Sequence, residues 1–194
     1  MQKILSLFIL VFLFIITACS DKLQPELTEQ IKEGLRKDAK EFMESLKDIL
    51  VKEIQAHGTA SAVNVCSDTA QILTNDYGLK KGIYIKRVSF KNRNQNNIPD
   101  KYESKALQYF EELKFSGKLN ENTEFIEVEE IAGIKKVRYL KPIIIQPLCL
   151  NCHGREETMR RDVKNIINTR YPYDKAAGYN LDDLRGAVSI NKTL

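Results

Sequence analysis

Each shortage in this chain closes a class of protein. Nine Gly and five Pro in 194 residues exclude a collagen repeat and a Pro- or Gly-rich low-complexity chain. Charge of one sign is scarce as well. The 30 Lys and Arg are offset by 26 Asp and Glu, and a net charge of +4 gives no reason to expect a nucleic-acid partner. Long apolar runs are confined to the segment Met1–Ser20, which excludes a polytopic membrane protein. There is no internal repeat and no linker, and the length suits one domain with a real core. What remains is a small set of reactive side chains, four Cys and two His.

The first Cys closes the opening segment. Lys3 precedes an almost unbroken apolar run from Ile4 to Ile16, too short for a comfortable membrane span and shaped like the core of a signal peptide. The run ends in Ile16-Thr17-Ala18-Cys19, which resembles the lipobox of bacterial lipoproteins. That resemblance implies residues 1–18 as a lipoprotein signal peptide, cleavage before Cys19, and diacylglycerol on its thiol as a membrane anchor. With Ser20 rather than Asp after the Cys, the sorting pattern favours the outer membrane of a Gram-negative host. Residues 19–25 then form a tether, and 26–194 the folded domain.

Within that domain, Leu27, Ile31, Leu35, Ala39, Phe42, Leu46, Ile49 and Ile54 recur every three or four residues, which predicts a long amphipathic helix ending at Gly58. A second helix is expected over 61–74, with Cys66 on its apolar stripe, and strands at 83–90, 125–130, 136–145 and 184–190. Helices are expected over 101–114 and 157–169, and a loop over 148–154. The order α-α-β-α-β-β-α-β points to an α+β fold, an antiparallel sheet with flanking helices.

Cys149-Leu150-Asn151-Cys152-His153 is the Cys-x-x-Cys-His signature of c-type haem attachment. Two thiols at this spacing can add across the vinyl groups of one haem edge, and the adjacent imidazole can bind the iron axially. The pair is not placed as a thioredoxin-like redox disulfide, because the βαβ pattern is missing. A structural zinc needs four ligands, and no second pair exists. One covalent haem c is therefore the expected cofactor, and an exported location agrees with it.

Cys66 is left over. It is either a small buried hydrophobe or the second axial ligand of the iron, with His57, Met43 and Met159 as rivals. No disulfide is expected. Most of the basic residues near these motifs read as solvated surface, namely Lys86 and Lys91, then Arg155, Arg160, Arg161 and Arg170. Tyr139, Tyr171 and Tyr179 could line a pocket but fit ordinary core equally well.

The chain also resembles a family of single-haem, PAS-like c-type domains found in cyanobacteria and other bacteria. The resemblance runs from about Glu26 to Asn191. It is carried by Val65-Cys66-Ser67, by Arg87-Val88-Ser89, Lys91, Arg93-Asn94, Asn97 and Pro99-Asp100, and by Leu148 through Gly154. Tyr171-Pro172, Asp174, Ala177-Gly178-Tyr179 and Leu184-Arg185-Gly186-Ala187 complete it. The resemblance implies a PAS-like sheet with a long N-terminal helix, and iron held between His153 and Cys66. It also makes Arg87 and Arg93 the candidates for neutralising haem propionates.

The expected function is that of a lipid-anchored monohaem cytochrome carrying electrons to a redox partner protein outside the cytoplasmic membrane. The alternative is a redox or small-gas sensor acting through a partner. No output domain follows Leu194, which favours the carrier. A peroxidase-like enzyme would need a distal acid-base group, for which only His57 is spare, so catalysis is not the leading expectation. The long helix is a candidate surface for a homodimer, or a spacer from the membrane.

Overall fold

The structure is a computed structural model that describes residues 27–194. The proposed signal peptide, Cys19 and the tether lie outside the described residues. The first helix, α1 (Glu29–Lys81), starts at Thr28, whose side chain accepts a hydrogen bond from the Ile31 amide. Gly58 breaks it with φ 84° and ψ 171°, a conformation that costs glycine little. The two arms fold back on one another. The Tyr77 hydroxyl donates to the Asp38 carbonyl at 3.0 Å, and Lys81 pairs with Asp38 and Glu41 at 3.0 and 2.7 Å. The second arm runs beyond the expected Thr74 to Lys81, because Tyr77 and the buried Gly78 pack against the first arm and the start of the sheet.

Four strands follow: β1 (Tyr84–Val88), β2 (Phe125–Ile131), β3 (Ile134–Ile144) and β4 (Leu184–Thr193). They form one antiparallel sheet in the order β1-β4-β3-β2, so the last strand lies inside the sheet. Helix α2 (Lys101–Phe115) enters on a capping box between Asp100 and Glu103. The expected α+β fold, with its antiparallel sheet, flanking helices and long N-terminal helix, is the one observed.

Strand alternation sends side chains to two opposite cores. On one face Ile85, Val137, Tyr139, Val188 and Ile190 pack under Leu35, Ala39 and Phe42 of α1. On the other, Val88, Leu140 and Ala187 pack under Ala106, Leu107 and Phe110 of α2. The same alternation separates Lys86 from Arg87. Lys86 reaches Glu103 of α2 at 2.9 Å, whereas Arg87 lies on the α1 side with Cys66.

The segment expected as a loop is helical. A single 3-10 turn, Pro147–Cys149, leads into the short helix α3 (Leu150–His153). The element is too brief for apolar periodicity to register it. Helix α4 (Arg161–Arg170) begins later than expected, because 155–159 makes its own turn on the Arg155 carbonyl and Arg160 is extended.

Glu103 is 1% exposed and ties α2 to the sheet. It pairs with Lys86 at 2.9 Å, accepts from the Ser189 hydroxyl at 2.7 Å and from the Asp100 amide at 2.8 Å, and lies 3.9 Å from Arg138. Removing one partner of a buried pair strands the other charge, at a cost of about 3–5 kcal/mol. Glu103→Ala is therefore expected to destabilise the fold by about that amount in urea denaturation, far more than Glu127→Ala at the exposed pair with Lys105, worth about 0–1 kcal/mol.

Candidate functional site

Helical spacing explains how the motif is presented. Residues three and four apart share a helix face, so the turn from Cys149 into α3 puts Cys149, Cys152 and His153 on one side. Gly154 closes the turn. Its amide donates to the Leu150 carbonyl at 2.9 Å, and a Cβ there would stand 2.6 Å from that same oxygen. The following loop returns to the turn: the amides of Gly178 and Tyr179 donate to the carbonyls of Gly154 and His153, each at 2.9 Å.

His153 is oriented from behind. Its Nδ1 lies 2.7 Å from the Ala176 carbonyl, so Nδ1 carries the proton and donates, leaving Nε2 as the free lone pair. The Tyr179 ring meets the imidazole edge-on at 6.3 Å between centroids. Burial, reinforced by the guanidiniums of Arg185, Arg93 and Arg87, holds the His153 pKa well below the usual histidine range. The imidazole is thus neutral at physiological pH, the state in which it can bind a metal.

Cys66 reaches this place from the second arm of α1. That arm packs through Val63 on Val163 and Ile167 of α4, with Cys152 and Met159 against the same cluster. The Cys66 and Cys152 thiols are close enough for their charges to interact, and burial pushes both pKa values up. Arg87 pulls the Cys66 value the other way. All three described cysteines are free thiols. Among the rivals to Cys66, His57 is exposed and hydrogen-bonded through Nδ1 to Glu53 at 2.9 Å. Met43 packs between α1 and the sheet, while Met159 lies near Cys152.

The arginines divide into two kinds. Arg93 is fully engaged in holding the turn: it pairs with Asp174 at 3.0 Å and donates to the Cys152 carbonyl at 2.6 Å and the Ala176 carbonyl at 3.4 Å. Arg87 is half-buried and makes neither an ion pair nor a side-chain hydrogen bond to any described residue, with Cys66 and the Tyr171 hydroxyl near it. Arg160 and Arg170 are surface residues paired with Asp162 and Asp68. Sequence reading missed Arg185, half-buried and near His153. The signal was available in Gly186, an isolated glycine within a strand run, which marks a bulge.

The arrangement fits a covalently held haem. It offers two thiols and an imidazole with a free Nε2 on one helix face, a further thiol from α1, and a guanidinium without a counter-ion among the described residues. The four-ligand set of a structural zinc is not found, since no group of three or more His, Cys, Asp and Glu gathers among the described residues. Two surface hollows adjoin the turn without reaching Cys66. One, of about 290 Å³, lies between Arg155 and Lys175, and the other, of about 230 Å³, between Leu150 and Met159. Among the described residues no helix is long and apolar enough to cross a membrane.

No curated protein matches the chain. Among solved structures it is similar to the crystal structure of the cyanobacterial heme-protein Tll0287, with 21% identity and a TM-score of 0.57. That match covers 86% of this chain and 94% of the other, and at such identity it speaks for the fold. A family model described as Tll0287-like matches residues 28–192, nearly the whole described chain, and the chain belongs to the Tll0287-like family.

Proposed function

We propose that the chain is a haem protein with one covalent haem c, thioether-linked to Cys149 and Cys152 and ligated by His153 and Cys66. In this reading it passes single electrons between protein partners outside the cytoplasmic membrane, to which a lipid on Cys19 anchors it. The observation that carries the reading is the pairing of His153 Nδ1 with the Ala176 carbonyl, beside the Cys149 and Cys152 thiols, with Cys66 of α1 brought near Cys152. The kinship to a heme-protein named for its cofactor supports it, and the central place of β4 supports a PAS-like reading of the sheet.

Bound there, a haem supplies a reversible one-electron couple at its iron. The chain's own contribution is orientation and exclusion. The Ala176 carbonyl fixes the tautomer and rotation of His153 and raises its basicity as a ligand. Arg93 holds the Cys152 carbonyl, so the helical turn keeps one geometry. Helix α4 and the second arm of α1 cover the Cys152 side with Val63, Val163 and Ile167 and keep water away. A rigid ligand set of this kind favours a carrier, since little has to move when charge changes.

Four outcomes are expected of the full chain produced with a haem-attachment system. Its Soret absorbance stays with the protein through acid-acetone extraction, and Cys149→Ser/Cys152→Ser abolishes it. Extraction of all haem, or none bound, would count against the reading. Cys66→Ala shifts the Soret and charge-transfer bands of the oxidised protein; an unchanged spectrum removes Cys66 as a ligand. Cys19→Ser moves the protein from the membrane fraction to the soluble fraction, measured by fractionation. In a redox titration with carbon monoxide, an unmoved one-electron midpoint agrees with a carrier, while ready binding on reduction indicates a sensor.

A further inference from the structure

The sheet contains one irregularity, and it lies beside His153. Along β3 and β4 the register runs Pro142↔Ala187 and Ile143↔Gly186, then jumps to Ile144↔Leu184. Arg185 is therefore the extra residue of a β-bulge, a device that re-aims a side chain. Gly186 makes it feasible: its φ is 150°, and a Cβ there would stand 2.2 Å from the Val88 carbonyl oxygen.

In unbroken alternation Arg185 would share the face of Ala187 and Ser189, which meet α2 and Glu103. The bulge takes it elsewhere. Its Nη1 donates to the Lys91 carbonyl at 3.1 Å, and its guanidinium carbon lies 5.5 Å from the centroid of the Tyr179 ring. The same ring carries the Lys91 ammonium at 4.2 Å and stands edge-on to His153.

Arg185 thus joins Arg87 at the imidazole, and the two guanidiniums repel each other. Burial lowers the pKa of both, and Arg87 and Arg93 lower that of Arg185 further. Asp174 is in range, but it is bound to Arg93. Two half-buried cations without a carboxylate of their own among the described residues are costly unless an anion joins them. Their forks suit carboxylates, which guanidinium binds through two parallel hydrogen bonds.

We propose that Arg185, aimed by the bulge at Gly186, acts with Arg87 as the receptor for the two propionate carboxylates of the haem. This assignment rests on the haem reading above. Arg185 is then a positioning residue, and its positive charge stabilises the reduced, less positive iron. Arg93, by contrast, is a structural clamp.

The test is spectroelectrochemical titration of the full, haem-loaded chain, with resonance Raman of the propionate bending mode. Arg185→Gln is expected to lower the midpoint potential and shift that mode, with the haem still covalent. Arg185→Lys, which keeps the charge without the fork, is expected to restore most of the potential but not the mode. Arg87→Gln is expected to act in the same direction as Arg185→Gln, and it serves as the second variant if that protein fails to load. A loaded wild-type chain whose potential and propionate mode are unmoved in the variants overturns this assignment and leaves the haem reading standing. A wild-type chain that matures without covalent haem overturns both.

Discussion

The candidate site depends on one guanidinium. Arg93 comes from the loop after β1, and its charge is met by Asp174 in the loop after α4. With the same group it holds the carbonyl of Cys152 in the motif turn and that of Ala176. Three stretches distant in sequence are thereby joined at a group only 13% exposed, where charge-assisted hydrogen bonds are strong. The Ala176 carbonyl is then in place for His153, and the loop amides of Gly178 and Tyr179 close on the turn. A lysine could not make this junction, because it lacks the planar fork.

The rest of the fold supplies walls and reach. The break at Gly58 turns a 53-residue helix into two antiparallel arms. The first arm buries Leu35, Ala39 and Phe42 on the sheet, and the second carries Cys66 to α4 and the motif. On the opposite face, Glu103 and its partners lock α2 to the strands without touching the site. The Glu103 lock and the proposed redox site therefore lie on opposite faces of one sheet.

Much of this was legible from local chemistry. Apolar residues at helical spacing, and glycine at Gly58, mark the arms; β-branched runs mark the strands; Asp100 and Glu103 form a capping box. The Cys149–His153 spacing is likewise a local pattern, visible in five consecutive residues. Reading failed where an element was too short for a period, as in α3, or where packing extended it, as in the second arm to Lys81. It also read Lys86 as solvated surface, although the strand pleat sends it to the α2 side, where it pairs with the buried Glu103.

The amino-acid sequence by itself determined the α+β class, the order of the longer elements and the Cys-x-x-Cys-His spacing, because periodicity, caps and fixed spacings act over a few residues. Only the tertiary structure decided what surrounds the motif. It brought Cys66 within reach of Cys152, committed Arg93 to Asp174, and left Arg87 without a counter-ion among the described residues. It also turned Arg185 out of the α2 face through a bulge. Those outcomes depend on which strands pair, in what register, and which loops close over them, and such long-range choices are made by the packing of the whole chain.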